Sequence, residues 1–251
     1  MADDRLIVAL DLNSRAEAEN LVDGLGDTVS FYKIGYQLFF GGDGFALGKE
    51  LIAAGKQVFF DLKLFDIENT VEKGVAAFAE SGASFLTVHA YPKVMGAAAR
   101  AAAGSSLKIL GVTVLTSYDS DDLMNAGYDR DVDSLVGLRA HMAKLAGMGG
   151  IVCSPHEAAL VRNLIGEDMA VVTPGIRPKS AASNDQKRIM GPTEALEEGA
   201  SHLVVGRPIT AASDPAAAAR DIVAEMGQAD LSGDIHDILH VHHDHDHSHG
   251  H

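Results

Sequence analysis

The sequence is poor in cysteine and in positive charge. Cys153 is its only cysteine, so no disulfide can form within the chain. The apolar neighbours Ile151 and Val152 indicate a buried thiol, which fits a reducing cytoplasm. Lys and Arg number 20 against 35 Asp and Glu, and the formal charge of -15 argues against a broad surface for nucleic acid or anionic membrane. An anionic substrate would need a local basic pocket.

Long apolar runs are also absent. None approaches the roughly 18 consecutive residues needed to cross a bilayer, and the first residues, Met1 to Arg5, are acidic rather than basic. We therefore expect a soluble, cytoplasmic protein without a targeting segment. With 251 residues, of which 47% are hydrophobic, the chain has enough material for one large buried core.

Short apolar runs do recur, each followed by a segment of helical length. Runs that are apolar throughout, rather than alternating, are typical of parallel strands buried on both faces. The eight runs are Leu6–Leu10, Phe31–Ile34, Gln57–Leu62, Phe85–His89, Ile109–Leu115, Gly150–Cys153, Ala170–Thr173 and Leu203–Val205. Eight such units predict an α/β fold of the (β/α)8 TIM-barrel type. His202, just before the last run, is expected in a helix or a helix cap.

Two segments depart from this rhythm. Between Thr173 and Thr193 lies a long polar stretch, where a barrel normally uses about 2–6 residues, and such loops often act as lids. After about Met226 the chain has no Lys or Arg, five Asp and eight of the twelve histidines. We expect residues 1–227 to form the barrel domain and residues 228–251 to form a disordered His/Asp-rich tail. The tail would bind divalent metal only incidentally, although a metal-buffering role is an alternative.

Polar residues are concentrated where the predicted strands end. They are Asp11, Lys33, Asp61, Lys63, Thr116, Arg177, Gly206 and Arg207. A single one could be a turn or cap residue, but in a barrel all these ends form one rim, which is where barrel enzymes carry their active sites. Lys33 lies within an apolar run, so its ammonium needs a partner.

The third strand carries the most informative pair. Asp61 and Lys63 are two residues apart, so both side chains should point to the same side. A carboxylate beside Lys63 favours its protonated form and hence proton donation rather than Schiff-base chemistry. A merely structural ion pair is the alternative. Asp66 could cap a helix from Ile67 onward or belong to the site, and both interpretations stay open.

The seventh and eighth strands suggest a phosphate site. Gly206 and Arg207 follow the eighth strand directly, and Gly175 follows the seventh. Barrels often bind phosphate with these two loops, through main-chain N–H groups and arginine.

These residues also match a known family. The run Asp61-Leu62-Lys63-Leu64-Phe65-Asp66-Ile67-Glu68-Asn69-Thr70 resembles the characteristic motif of the orotidine 5′-monophosphate decarboxylase family. Further segments follow in family order across residues 6–226: Ala9-Leu10-Asp11, Tyr32-Lys33-Ile34-Gly35, Val114-Leu115-Thr116-Ser117, Thr173-Pro174-Gly175-Ile176-Arg177-Pro178, Asp185-Gln186 and Val205-Gly206-Arg207-Pro208. Only the tail is unmatched.

The resemblance implies a role for each residue. Lys33, Asp61, Lys63 and Asp66 would form an alternating charge network, with Asp66 and Thr70 contributed by the second subunit of a homodimer. Asp11 and Lys33 would bind the ribose, and Thr116 and Ser117 would contact the pyrimidine. The phosphate would be bound by Arg177, Gln186, Gly206 and Arg207, with Gln186 on the lid. The implied reaction converts orotidine 5′-monophosphate to UMP and CO2, with Lys63 protonating the C6 carbanion and with no cofactor or active-site metal.

The sequence leaves two other functions open. A magnesium-dependent sugar-phosphate decarboxylase or aldolase of the same superfamily shares the Asp-x-Lys-x-x-Asp spacing. That branch generally has an acidic residue in place of Lys33 and lacks the pattern from Pro174 to Gln186. A non-catalytic protein that binds a phosphate ligand or buffers metal is the alternative from another class, and the complete set of polar residues argues against it.

Overall fold

The computed structural model describes residues 2–178 and 190–231. Eight strands are present: β1 (Leu6–Ala9), β2 (Phe31–Gly35), β3 (Gln57–Leu64), β4 (Phe85–His89), β5 (Lys108–Val112), β6 (Gly150–Val152), β7 (Ala170–Pro174) and β8 (His202–Val205). The helices in these ranges are α1 (Arg15–Leu25), α2 (Tyr36–Gly41), α3 (Gly44–Ala53), α4 (Glu68–Ala79), α5 (Pro92–Ala102), α6 (Ser120–Asn125), α7 (Val132–Leu145), α8 (Ala158–Ile165), α9 (Pro192–Glu197), α10 (Arg207–Thr210) and α11 (Pro215–Met226). Short 3₁₀ turns occupy Gly26–Thr28 and Pro155–Glu157.

The strands form a closed parallel barrel in chain order. Each strand pairs in parallel with the next, and β1 closes the barrel by pairing Leu6 with Leu203 of β8. The predicted (β/α)8 fold is therefore confirmed, with all eight strands close to their expected positions. β5 is shorter than predicted and ends at Val112, which pairs with Val152 at the end of the three-residue β6. Beyond Val112 the main-chain N–H and the hydroxyl of Thr113 still donate to the carbonyl oxygen of Val152, but the regular strand pairing ends there.

Alternation along the strands divides the core into two layers. Ile7 and Ala9 point into the barrel, whereas Leu6 and Val8 pack against the surrounding helices. The inner layer fills the lower barrel with apolar side chains: Ile7, Ala9, Phe31, Phe59, Phe85, Leu110, Val112, Val152, Ala170, Val172 and Val204. This packing supports a polar site only at the carboxyl ends of the strands.

His202 and Cys153 both lie in or next to a barrel strand. His202 is the first residue of β8 rather than a helical or capping residue, and its ring packs against Phe31 and Phe85, so that prediction was wrong. The free Cys153 is buried as expected, and burial raises the pKa of its thiol well above the ordinary value.

The predicted domain boundary at residue 227 stays a prediction, because residues 232–251 lie outside the described residues. Within residues 2–178 and 190–231, no helix is both long enough and apolar enough to cross a membrane.

Candidate active site

Four charged side chains at the ends of the first three strands form a continuous row. The Lys33 Nζ donates to Asp11 Oδ1 at 3.1 Å and lies 3.5 Å from Asp61 Oδ2. The Lys63 Nζ donates to Asp61 Oδ1 at 2.8 Å. The order Asp11, Lys33, Asp61, Lys63 therefore alternates in charge, and the partners that the sequence required for Lys33 are these two carboxylates.

The barrel architecture explains why these residues meet. β1, β2 and β3 are neighbours, with Ala9 paired to Lys33 and Gly35 paired to Asp61. Lys33 is only 8% exposed, so its ammonium has lost most of its water and depends on the two carboxylates. The absence of a side chain at Gly35 keeps the space open, because a Cβ there would lie 3.2 Å from the Lys33 Nζ.

Asp61 is the centre of the row. Burial by itself would raise the pKa of this carboxyl, but the ammonium groups of Lys33 and Lys63 outweigh burial and hold the pKa below its ordinary value. Asp61 therefore remains a carboxylate near neutral pH, in a setting where its charge is poorly screened by water.

A buried threonine links Asp61 to Lys63. The Thr87 hydroxyl accepts the main-chain N–H of Lys63 at 2.9 Å and donates to Asp61 Oδ1 at 2.9 Å. At this point the pairing of β3 with β4 is irregular, and Lys63 has a left-handed φ of 45°. Thr87 was not among the predicted site residues. Its inward position on β4 and its polarity were the only sequence signals for it.

A cavity of about 250 Å³ opens beside the charged row. Its walls include apolar side chains from four strands, Phe59, Val112, Val152 and Val204. Asp11, Lys33, Asp61 and Lys63 line it together with Thr116, Pro174, Gly175 and Gly206. An anionic ligand here would have ammonium groups on one side and an apolar wall on the other.

Asp66 and Thr70 lie outside this cavity and are exposed. The Asp66 Oδ1 accepts the N–H of the adjacent Ile67 at 2.7 Å, whereas α4 has Ile67 at its N-cap and no side-chain cap. The interpretation of Asp66 as a helix cap was therefore wrong, because the chain turns into the helix one residue later. Its membership of the site stays a prediction.

Of the predicted phosphate-binding residues, fewer line the cavity than of the charged row. Gly206 lines it, but Arg207 is exposed at the start of α10 and the half-buried Arg177 donates to its neighbour's carbonyl oxygen, that of Ile176. Neither arginine lines the cavity, nor does the exposed Ser117. Gln186 lies outside the described residues.

In the part of the chain that the structure describes, no three His, Cys, Asp or Glu side chains are grouped so that they could hold a metal ion.

A closed barrel whose carboxyl-end rim holds convergent charged side chains beside a cavity defines a TIM-barrel enzyme. Comparison with known proteins specifies the family. Residues 4–222 match the model of the orotidine 5′-phosphate decarboxylase / HUMPS family. The chain is 58% identical over 226 residues to the orotidine 5′-phosphate decarboxylase of Rhodopseudomonas palustris, covering 90% of this chain and 95% of the relative. It is also 58% identical over 229 residues to the enzyme of that name from a Methylobacterium species, covering 90% and 97%.

A solved structure agrees. The crystal structure of orotidine 5′-phosphate decarboxylase from Lactobacillus acidophilus superposes with a TM-score of 0.79 at 40% identity, covering 89% of this chain and 99% of that one. The chain belongs to the orotidine 5′-phosphate decarboxylase / HUMPS family.

Proposed function

We propose that this chain decarboxylates orotidine 5′-monophosphate to UMP and CO2, as its closely similar relatives are named for doing. The observation that supports this most is the Lys63 ammonium held 2.8 Å from a buried carboxylate at the edge of the cavity. That arrangement places a proton donor beside a fixed negative charge.

Lys63 is the proposed acid. Cleavage of the bond between C6 and the carboxylate releases CO2 and leaves an electron pair on C6. The ammonium stabilises the developing charge and then transfers a proton from Nζ to C6, which forms the new C–H bond. Solvent restores the proton on Lys63 before the next turnover.

Asp61 has two proposed effects. It orients Lys63 through the hydrogen bond between them, and its charge faces the substrate carboxylate that departs as CO2. Because its pKa is held low, Asp61 is ionised when the substrate is bound, so the repulsion is present in the bound substrate and is relieved as CO2 leaves.

Lys33 supports a reaction without metal. Its ammonium lies between the carboxylates of Asp11 and Asp61, at 3.1 and 3.5 Å, whereas the magnesium-dependent branch generally has an acidic residue at this position. We therefore favour a cofactor-independent decarboxylase over the magnesium-dependent alternative. In the substrate complex, Asp11 and Lys33 would bind the ribose hydroxyls.

The remaining contacts follow the order of the strands. Thr116 lines the cavity after β5 and, with Ser117, would contact the pyrimidine edge. Gly206 lies at the rim between β8 and the start of α10, where main-chain N–H groups and the Arg207 guanidinium can bind phosphate. Arg177 and Gln186 would complete the phosphate site from the loop after β7.

We also propose a homodimer in which Asp66 and Thr70 complete the partner's site. Both are exposed and neither lines the cavity of its own chain, which fits a contribution to the site of a second chain. Large apolar side chains flank Asp66 in the sequence and are exposed, Phe65 by 60% and Ile67 by 72%, and Phe40 on α2 is 77% exposed. Such a surface fits burial against a second subunit. The reaction and the free, buried Cys153 suit a cytoplasmic location.

The test is loss of orotidine 5′-monophosphate absorbance with EDTA present. Wild type should convert the substrate, Lys63→Ala should lose at least about 100-fold in kcat, and Lys144→Ala, a change at an exposed position of α7, should match wild type. A folded, dimeric wild type that converts no substrate would refute the proposal, and magnesium would then be restored to test the sugar-phosphate branch.

The shared site has its own test. Mixing inactive Lys63→Ala and Asp66→Ala proteins creates hybrid dimers that each retain one intact site, so activity should recover to about a quarter of wild type. No recovery after verified subunit exchange would place Asp66 in its own subunit's site.

A further inference from the structure

We propose that Thr87 is a positioning residue that fixes Lys63 and Asp61 relative to each other. The inference rests on the proposed function and adds a residue to it that does not line the cavity. Thr87 is fully buried on β4, beneath the charged row, and both of its hydrogen bonds go to the catalytic pair.

The hydrogen bonding of the hydroxyl is fully determined. A threonine hydroxyl has one proton, and here its oxygen accepts the N–H of Lys63. Its proton is therefore directed to Asp61 Oδ1, the same oxygen that accepts from the Lys63 Nζ. One side chain thus holds the main chain of the acid and the carboxylate that orients the acid's ammonium.

The main chain of β3 makes this support necessary. The register between β3 and β4 shifts between Phe60 and Leu64, so regular strand pairing is interrupted at Lys63. Lys63 also has φ 45°, a conformation that residues with a side chain rarely adopt. A side-chain oxygen from β4 replaces the missing main-chain acceptor and holds Lys63 in this conformation.

The charged surroundings of Asp61 do not depend on Thr87. Its titratable neighbours are Lys33 on β2, Lys63 on β3, His89 on β4 and Tyr36 on α2, with Asp11 beyond Lys33. Removing only the hydroxyl leaves all of them in place and takes one hydrogen-bond donor from Asp61. The pKa of Asp61 should then rise, since that hydrogen bond helps to lower it.

The experiment compares Thr87→Val, which keeps the shape but loses the hydroxyl, with Thr87→Ser, which keeps the hydroxyl. Thr113→Val is the matched control, because Thr113 is equally buried but its hydroxyl donates to the main-chain oxygen of Val152. Melting temperatures establish that each variant is folded. If Thr87→Val does not fold, Thr87→Ala takes its place in the comparison.

We expect kcat of Thr87→Val to fall on the order of 10- to 100-fold with a smaller change in KM, and the acid limb of the kcat/KM profile to move to higher pH. Thr87→Ser and Thr113→Val should stay close to wild type. Titration of the Asp61 carboxyl by ¹³C NMR should show the same shift in Thr87→Val without any turnover.

The NMR titration separates the two hypotheses. An unchanged Asp61 midpoint and acid limb in Thr87→Val would overturn the role of Thr87, even if wild type decarboxylates the substrate. A shifted Asp61 midpoint in Thr87→Val, together with a wild-type protein that has no decarboxylase activity, would support the positioning role and refute the proposed function instead.

Discussion

Protonation of His202 should destabilise the barrel below neutral pH. Burial lowers the pKa of its ring from 6.5 to about 4, since the ring packs between Phe31 and Phe85 in the lower barrel. At a pH between about 4 and 6.5, His202 is therefore protonated in the unfolded chain but neutral in the folded chain. The stabilisation from a neutral His202 is complete above the unfolded pKa and is lost as pH falls toward the folded one.

The magnitude follows from the shift. Two to three pKa units at about 1.4 kcal/mol each give a loss of about 2 kcal/mol between pH 7 and pH 5 and about 3 kcal/mol by pH 4. Carboxylates with lowered pKa, such as Asp3 and Asp61, add their own losses on acidification. The contribution of His202 is therefore the difference between wild type and a His202 variant in the free energy of unfolding lost on acidification.

The assay is urea unfolding at fixed protein concentration from pH 7 to pH 5, for wild type, His202→Gln and His141→Gln. His202→Gln should be less stable at pH 7 but should lose about 2 kcal/mol less than wild type on acidification. His141, exposed on α7, is the matched control and should keep the wild-type dependence. Equal pH dependence in wild type and His202→Gln would refute the argument.

Three further changes test other parts of the molecule. Arg162→Met should lower the free energy of unfolding by about 3 kcal/mol, because the buried guanidinium donates to three main-chain carbonyl groups at 2.6–3.0 Å. A loss below about 1 kcal/mol in denaturant titrations would contradict this. Gly150→Ala should destabilise by about 3 kcal/mol because its Cβ would lie 2.5 Å from the Ala170 carbonyl oxygen, whereas Gly24→Ala, with open space around it, should be neutral or stabilising in the same titration. Arg207→Ala should lower kcat/KM on the order of 10- to 100-fold through lost phosphate binding, and unchanged steady-state kinetics would remove Arg207 from the phosphate site.

Much of the barrel could be predicted from sequence because its strands are buried on both sides. Apolar runs such as Phe85–His89 mark such strands directly, and the need of a buried Lys33 for acidic partners predicts that charges meet at the rim. The end of β5 could not be predicted in this way. The pairing of β5 with β4 and with β6 stops at Val112 in both cases, and a pairing limit of this kind is not visible in the hydrophobic pattern of β5.

The details of the site depend on geometry that residue types do not specify. Lys63 has a left-handed main chain without a glycine to indicate it, and the interrupted pairing of β3 and β4 leaves no mark in the hydrophobic pattern. Thr87 gains its role only through that interruption. Asp66 is a residue type typical of a helix cap, yet α4 begins without a side-chain cap, so here the sequence pattern predicts a contact that the structure lacks.

The apolar packing of the lower barrel leaves the cavity accessible only from the carboxyl ends of the strands. Phenylalanine rings from β2, β3 and β4 close the floor, so whatever reaches Lys63 has to cross the rim at the carboxyl ends of the strands. Substrate arrives, and a gas and a nucleotide depart, by the same route. Traffic in both directions therefore passes the residues at this rim, among them Thr116, Gly175 and Gly206.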